Sequence, residues 1–139
     1  MTTVTVSIMR RTVAGARDGE VSTFEVEFSL GNLAGTQRED FFALVDTGAT
    51  LTTLPGSLLD ALGIERQYRQ RFRLGDGVTI VEADVGDARI YLEGQDRICP
   101  VAFGGDREPA LLGVLTLEIC SLGVDPLAHR LIPVLAIRY

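Results

Sequence analysis

The sequence contains few of the residues that metal and redox sites require. It has one histidine and two cysteines, Cys99 and Cys120, in 139 residues. The cysteines form no Cys-x-x-Cys pair, and a zinc site normally takes four ligands from Cys, His and carboxylates. We therefore expect no metal ion and no organic cofactor. Each cysteine lies within an apolar run, which favours two buried core thiols over a disulfide.

Basic residues are fewer than acidic ones, 13 against 19, and the formal net charge is −6. Phosphate binding needs clustered Lys and Arg, so nucleic acid is not an expected partner. The nearest approach to a basic cluster is formed by Arg66, Arg69, Arg71 and Arg73. We interpret these arginines as a solvated or substrate-facing edge. The sequence also lacks a signal-peptide pattern and any apolar run near the roughly 20 residues that span a bilayer. We expect a cytoplasmic protein with no membrane partner.

Fifteen glycines and an aromatic content of 6% favour many turns and an all-β fold with one or two short helices. The length fits one compact domain covering residues 1–139. Alternating or short apolar segments predict strands at residues 4–8, 21–30, 41–45, 89–92, 98–103, 122–126 and 131–137. The run at 41–45 is apolar throughout, which predicts burial on both of its faces.

Two further segments have the pattern of short helices. The first covers residues 55–64 and is closed by Gly63, a residue that favours a helix end. The second covers residues 114–120, where Leu115, Ile119 and Leu122 would share one helical stripe.

A hairpin is predicted at the Gly75-Asp76-Gly77 sequence. Asp-Gly between two alternating segments, here residues 68–74 and 78–85, is a strong short-range indication of a β-hairpin. Asp76 has two interpretations, a residue chosen for turn geometry or a contact to substrate.

The motif with catalytic chemistry is Asp46-Thr47-Gly48, which directly follows five apolar residues. All three residue types favour turns, so an ordinary turn is one interpretation. A carboxylate placed next to apolar residues is costly unless it is paired or functional, which favours the second interpretation, an active site. Two carboxylates that share one proton can hydrolyse a peptide bond, because one activates water while the other donates to the carbonyl oxygen.

The segment from Phe42 to Pro55 resembles the active-site segment of the retropepsin-like aspartic peptidases. The family's second hallmark, two aliphatic residues followed by Gly and a helix, is matched by Leu111-Leu112-Gly113. The predicted hairpin lies between the two, where the family carries a flap that closes over bound peptide. The resemblance extends over roughly residues 21–134 and is greatest to the small bacterial stand-alone members. It implies a closed retropepsin-like β-barrel with one half-site per chain.

The same resemblance assigns roles to residues. The catalytic residue is Asp46, and the active-site loop continues through Thr47, Gly48 and Ala49. The flap and the second motif supply substrate-binding residues, namely Leu74, Gly75, Asp76, Gly77, Val78, Leu111, Leu112 and Gly113. Thr50 and Ile80 are further candidates for the substrate pockets. Val114 departs from the pattern, because viral members usually have Arg at this position to brace the loop and the dimer.

A single Asp-Thr-Gly per chain predicts an isologous homodimer, since the second carboxylate must come from another copy. Terminal strands at residues 4–8 and 131–137 are the candidates for the interface. The expected function is aspartic endopeptidase activity on a peptide or protein substrate. Two alternatives stay open. One is a catalytically weak or inactive dimerisation or peptide-binding module on the same fold, and the other is a small-ligand β-barrel in which Asp46 is a structural turn.

Overall fold

The structure is a computed structural model that describes residues 24–138. The predicted strand at 4–8 and the start of the one at 21–30 lie outside this range. The described elements, in chain order, are β1 (Glu25–Gly31), β2 (Arg38–Asp46), β3 (Thr52–Pro55), α1 (Gly56–Ala61), β4 (Tyr68–Arg73), β5 (Ile80–Leu92), β6 (Gln95–Gly104), β7 (Leu111–Gly113), α2 (Val114–Ile119), β8 (Leu122–Asp125) and β9 (Arg130–Pro133).

Seven of these strands form one sheet in the order β1-β2-β7-β3-β6-β5-β4, and β1 also pairs with β5. That additional pairing closes six strands into a barrel and leaves β4 as an extension of β5. Strands β8 and β9 form a separate hairpin. The predicted fold class, an all-β closed barrel with two short helices, is confirmed.

The barrel core follows the alternation of the strands. In β1 the side chains of Val26, Phe28 and Leu30 point inward and are buried. The prediction that the 41–45 run is buried on both faces is wrong, because β2 alternates as well. Ala43 and Val45 are 2% and 3% exposed, whereas Phe42 is 36% exposed. A strand in a closed barrel has an inner and an outer face, so only every second side chain reaches the core.

The two strands predicted at 78–85 and 89–92 are one long strand, β5. Gly86 does not interrupt it, since it pairs with Val101 of β6. A Cβ atom on Gly86 would lie 2.0 Å from the carbonyl oxygen of Glu65, so glycine serves a close backbone approach here and does not mark a strand end. The first half of β5 pairs with β4 and the second half with β6 and β1.

Both short helices are present, and the predicted stripe of Leu115, Ile119 and Leu122 packs against the core. The buried residues of α2 are Thr116 and Leu117, while Leu115 and Ile119 are only partly buried. At the end of α1, Gly63 has φ of +80°, the left-handed conformation that the sequence predicted there. Neither helix in the described part of the chain has the length and hydropathy needed to cross a membrane.

The last predicted strand is shorter than expected, since β9 ends at Pro133 instead of reaching residue 137. Its partner β8 has four residues, and the pairing of Leu122 with Pro133 ends the ladder. Residues 134–137 have no strand partner within 24–138. They are nevertheless apolar and exposed, with Leu135 at 95% and Ile137 at 77%.

Candidate active site

Asp46 is the last residue of β2 and lies beside Gly113 of β7, which runs parallel to it. The chain leaves β2 at Asp46, makes a short loop and returns as β3 on the other side of β7. The two predicted motifs therefore meet in adjacent strands, although Asp46 and Gly113 are 67 positions apart in sequence. This arrangement places the Asp46 carboxylate at the mouth of the barrel and only partly buried.

The loop that follows Asp46 folds back on its own carboxylate. The backbone N–H of Gly48 donates to Oδ1 of Asp46 at 2.9 Å, and the N–H of Ala49 donates to the Asp46 carbonyl at 3.1 Å. A Cβ atom on Gly48 would approach Oδ1 to 3.2 Å, a crowded contact that glycine avoids. Oδ2 accepts no hydrogen bond from residues 24–138 and remains available to a partner outside the chain.

The second motif braces this loop through backbone hydrogen bonds. The N–H groups of Val114 and Leu115 donate to the carbonyl oxygens of Ala49 and Thr50, at 2.8 Å and 3.1 Å. With Val114 in place of Arg, the resemblance left three alternatives: bracing from elsewhere, a weaker dimer or a less active enzyme. Main-chain atoms brace the loop here, and these hydrogen bonds do not depend on the side chain at position 114.

A buried polar cluster lies directly behind the loop. The Thr52 hydroxyl accepts a hydrogen bond from the N–H of Gly113 at 3.0 Å, and its oxygen lies 2.7 Å from the hydroxyl oxygen of Thr116. Thr52 and Thr116 are 0% and 1% exposed, so these bonds are shielded from water. A Cβ atom on Gly113 would lie 2.4 Å from the carbonyl carbon of Leu51, which shows how closely β7 packs against the end of the loop.

The Asp46 loop and the β4–β5 hairpin line one cleft of about 1070 Å³. Of the residues that the sequence assigned to the site, those in the lining are Asp46, Thr47, Gly48, Ala49, Thr50, Leu74, Gly75 and Leu111. The hairpin that was predicted to be a flap therefore borders the same cleft as the catalytic candidate.

Other predicted site residues lie elsewhere. Leu112 alternates with Leu111 in β7 and is 0% exposed in the barrel core. Gly113 is buried against Leu51 and is a packing residue. The residues absent from the cleft lining are Asp76, Gly77, Val78, Ile80, Leu112 and Gly113. Four of these lie at or beyond the tip of the hairpin, outside the cleft, and Val78 there is 78% exposed.

The Asp76 side chain is engaged within the turn. Its carboxylate accepts hydrogen bonds from the N–H groups of Val78 and Thr79, at 2.9 Å and 2.8 Å, and from the Thr79 hydroxyl. The hydroxyl of Thr79, followed by these two N–H groups, holds the pKa of Asp76 below its ordinary value. These contacts favour the turn-geometry interpretation of Asp76 over a contact to substrate.

Charged residues at the base of the hairpin form an ion-pair network. The guanidinium of Arg66 donates two hydrogen bonds to Asp60 of α1, at 3.0 Å and 2.8 Å, and one to Asp84 of β5, at 2.8 Å. It also lies over the ring of Phe103, with its carbon 4.4 Å from the ring centre. The hydrogen bonds from Arg66 hold the pKa values of Asp60 and Asp84 below their ordinary values. The network fixes the hairpin base to the barrel.

The hairpin, β6 and the segments next to them bring further side chains to the cleft. Sequence analysis interpreted four of them, Arg66, Arg69, Arg71 and Arg73, as a solvated or substrate-facing edge. The side chains that it did not identify are Gln70, Phe72, Val81, Glu82, Ala83, Asp84, Ala102, Phe103, Gly104, Gly105 and Glu108. The Asp-Gly hairpin was the signal that could have identified these side chains. If a hairpin is a flap, its strands border the site as well as its tip.

The single histidine of the chain, His129, and the two cysteines lie outside the cleft. His129 stacks on Phe24, with ring centres 5.9 Å apart, and does not line the cleft. Cys99 and Cys120 are free and buried, as predicted. Among residues 24–138, no three His, Cys, Asp or Glu side chains lie close enough together to hold a metal ion.

Comparison of the sequence with protein-family models found no matching family, and comparison with curated proteins found no matching relative. The chemistry of the cleft is therefore inferred from its own residues.

Proposed function

We propose that the chain is a homodimeric aspartic endopeptidase in which the two Asp46 carboxylates, one from each copy, activate water against a peptide bond. The observation that carries this proposal is the environment of Asp46. The Asp46 carboxylate lies in a cleft that the β4–β5 hairpin also lines, with Oδ1 held by its own loop and Oδ2 without a hydrogen-bond partner among residues 24–138. A cytoplasmic location belongs to the same proposal and fits two free thiols.

Two carboxylates at hydrogen-bond distance cannot both ionise at neutral pH, so the pair keeps one proton. The ionised Asp46 takes a proton from water, and the water oxygen attacks the carbonyl carbon of the scissile bond. The protonated Asp46 donates its proton to the carbonyl oxygen, which gives a neutral tetrahedral intermediate. The Asp46 that took the proton from water then donates it to the amide nitrogen, while the other Asp46, now ionised, takes a hydroxyl proton from the intermediate. The C–N bond breaks, a carboxylic acid and an amine are released, and the pair again holds one proton.

The fixed geometry of the loop suits this chemistry. Because backbone N–H groups of Gly48, Val114 and Leu115 hold the loop, the carboxylate needs little reorganisation to reach the reactive position. Thr47 is exposed beside Asp46 and is available for a contact across a twofold axis, as the family resemblance implies.

The dimer is required by the count of carboxylates, since the sequence contains one Asp-Thr-Gly. The C-terminal segment offers a surface for it. Val134, Leu135 and Ile137 are 44%, 95% and 77% exposed, and water-exposed apolar side chains in a row mark an interaction site. We assign the dimer interface to residues 131–137, with residues 4–8 outside the described range.

The test compares three proteins in a peptide-cleavage assay. The wild type is expected to cleave, and Asp46→Asn is expected to lose activity, because an amide cannot act as the base. Asp87→Asn, a substitution of the same kind on β5 outside the cleft, is the matched control and is expected to keep activity. Cleavage by Asp46→Asn at the wild-type rate would falsify the proposal. Peptide binding without cleavage by the wild type would favour the peptide-binding module instead.

A further inference from the structure

The cleft is lined by four arginines and four carboxylates, and the arginines are clustered in one short segment of the chain. All 13 basic residues of the chain are arginines, and the net charge is −6. Four of these arginines lie between residues 66 and 73, and all four line the cleft, namely Arg66, Arg69, Arg71 and Arg73. An acidic chain that gathers arginines at one place calls for a reason specific to that place.

The four arginines fall into two pairs according to their partners. Arg66 is neutralised by Asp60 and Asp84 at 2.8 Å each. Arg69 contacts Asp84 at 3.2 Å and Glu82 at 3.9 Å. The first pair therefore belongs to the ion-pair network at the hairpin base.

The second pair has no carboxylate partner among residues 24–138. Arg73 donates to the carbonyl oxygen of Gly77 at 3.0 Å, which orients its guanidinium but leaves its charge uncompensated. Arg71 forms neither a hydrogen bond nor an ion pair within this range, although it lies opposite Glu82 in the strand register. Glu82 is directed to Arg69 instead.

The position of the second pair suits contact with an extended peptide. Arg71 and Arg73 are two residues apart on β4, so their side chains leave the same face of the strand about 7 Å from each other. Strand β4 is the last in the sheet order, and its outer edge has no strand neighbour among the described residues. An extended peptide can pair with such an edge through its main chain while its side chains meet the strand's side chains.

We infer that Arg71 and Arg73 select an acidic side chain, Asp or Glu, in the peptide that occupies the cleft. A guanidinium binds a carboxylate through two parallel N–H···O bonds, which gives both attraction and orientation. This selectivity defines the substrate class of the proposed peptidase. It rests on the proposed function, which makes a peptide the occupant of the cleft. The competing explanation is that the two arginines only keep the free edge of β4 from aggregating.

The first arm of the test measures binding without cleavage. Immobilised Asp46→Asn protein is incubated with a synthetic library of ten-residue peptides randomised at every position, and the retained peptides are sequenced. The same protein carrying Arg71→Glu is compared with one carrying Arg97→Glu. The two substitutions change the net charge equally, since each replaces Arg by Glu. Arg97 is exposed on β6 and does not line the cleft, so it serves as the control.

We expect Asp and Glu to be enriched in the peptides retained by the Asp46→Asn protein and by the Arg97→Glu control. Arg71→Glu is expected to reduce this enrichment about fivefold and to enrich Lys and Arg instead, as one exposed charge pair is worth up to about that factor. The enrichment should also fall at 0.5 M NaCl, because the contact is exposed to solvent. Equal acidic enrichment with Arg71→Glu and Arg97→Glu, or no acidic enrichment at all, overturns the inference and leaves the edge-protection explanation.

The second arm separates this inference from the proposed function. Wild-type protein and its Arg71→Glu variant cleave the same library, and the residues flanking each cut bond are counted. Asp46-dependent cleavage with the same acidic frequency in both proteins overturns the inference alone. Cleavage that persists in Asp46→Asn, or none in the wild type, overturns the peptidase proposal, while the binding arm still decides the role of Arg71.

Discussion

The hydroxyl oxygens of Thr52 and Thr116 lie 2.7 Å apart in the core and join two segments that are 64 residues apart in sequence. Thr52 opens β3, directly after the Asp46 loop, and Thr116 lies in α2, directly after the second motif. Thr52 also accepts the N–H of Gly113, so its hydroxyl satisfies a buried backbone donor as well as Thr116. The two hydroxyls differ in their expected contribution to stability.

Replacement of Thr52 by Val is expected to destabilise the protein more than replacement of Thr116 by Val. Thr52→Val leaves the buried Gly113 N–H and the Thr116 hydroxyl without their partner, at a cost of about 2–4 kcal/mol. Thr116→Val removes one hydroxyl while Thr52 keeps the Gly113 contact, at a cost of about 1–2 kcal/mol. Urea unfolding at one protein concentration measures both values. Equal losses would show that the Gly113 contact is not important for stability.

Gly113→Ala is expected to disrupt the junction of the two motifs. The new Cβ atom would lie 2.4 Å from the carbonyl carbon and 2.6 Å from the carbonyl oxygen of Leu51, and backbone atoms cannot yield as a side chain can. We expect a loss of about 3 kcal/mol or more in the free energy of unfolding. Gly75→Ala is the matched control, since its Cβ would meet nothing within 4 Å, and it should change stability by less than about 0.5 kcal/mol. Similar stability of the two variants would contradict the packing described for β7.

The Arg66 network predicts a dependence of stability on pH. The pKa values of Asp60 and Asp84 are held below their ordinary value of 3.8 by hydrogen bonds from Arg66. A carboxyl whose pKa is lower in the folded state stabilises the fold above its unfolded pKa, and this contribution is lost as the pH falls through the folded pKa. Wild-type protein should therefore lose more stability between pH 5 and pH 2 than Arg66→Met does.

The measurement for this prediction is the urea midpoint at each pH. Arg97→Met is the control, because Arg97 donates a hydrogen bond only to the backbone carbonyl of Asp96, and the pKa of the Asp96 carboxyl is lowered mainly by Arg89. It should keep the wild-type pH dependence. A parallel pH dependence of wild type and Arg66→Met would show that the network does not stabilise the hairpin base.

These contacts mark the limit of what the sequence could predict. Local patterns were sufficient for the Asp46 turn, the Asp76 hairpin and the inner face of β1, since each depends on residues that are neighbours in the chain. The Thr52–Thr116 bond was not predictable, because it joins two polar residues far apart in sequence. Apolar periodicity identified the stripe of Leu115 and Ile119 in α2, but it could not identify Thr116, a buried hydroxyl that finds its partner only in the folded barrel.

The two cysteines are expected to be unreactive in the folded protein. Cys99 and Cys120 are both 0% exposed, and contact with Cys120, together with burial, raises the pKa of the Cys99 thiol. At pH 8 the native protein should not react with a thiol reagent such as dithionitrobenzoate over minutes. The unfolded chain should react at both cysteines and release two equivalents of the reagent's coloured thiolate per chain. Rapid reaction of the native protein would contradict the burial of this pair.

The C-terminal segment provides the sharpest test of the dimer, since the chain offers a closely matched control. Leu135 and Leu127 are 95% and 96% exposed, so replacing either by Asp removes the same apolar surface and adds the same charge. Leu127 lies in the turn between β8 and β9, and Leu135 lies in the segment that we assign to the interface. A buried charge at an apolar interface is costly, so Leu135→Asp should weaken the dimer about tenfold or more.

Sedimentation velocity over a range of concentrations measures the dissociation constant, and peptide cleavage is measured on the same samples. Leu135→Asp is expected to yield monomers at concentrations where wild type and Leu127→Asp are dimers, and its activity should return as its concentration is raised. That return distinguishes lost association from a damaged cleft, because each active site needs Asp46 from two copies. A wild-type protein that sediments as a monomer while cleaving peptides would remove the twofold pairing of Asp46 on which the mechanism depends.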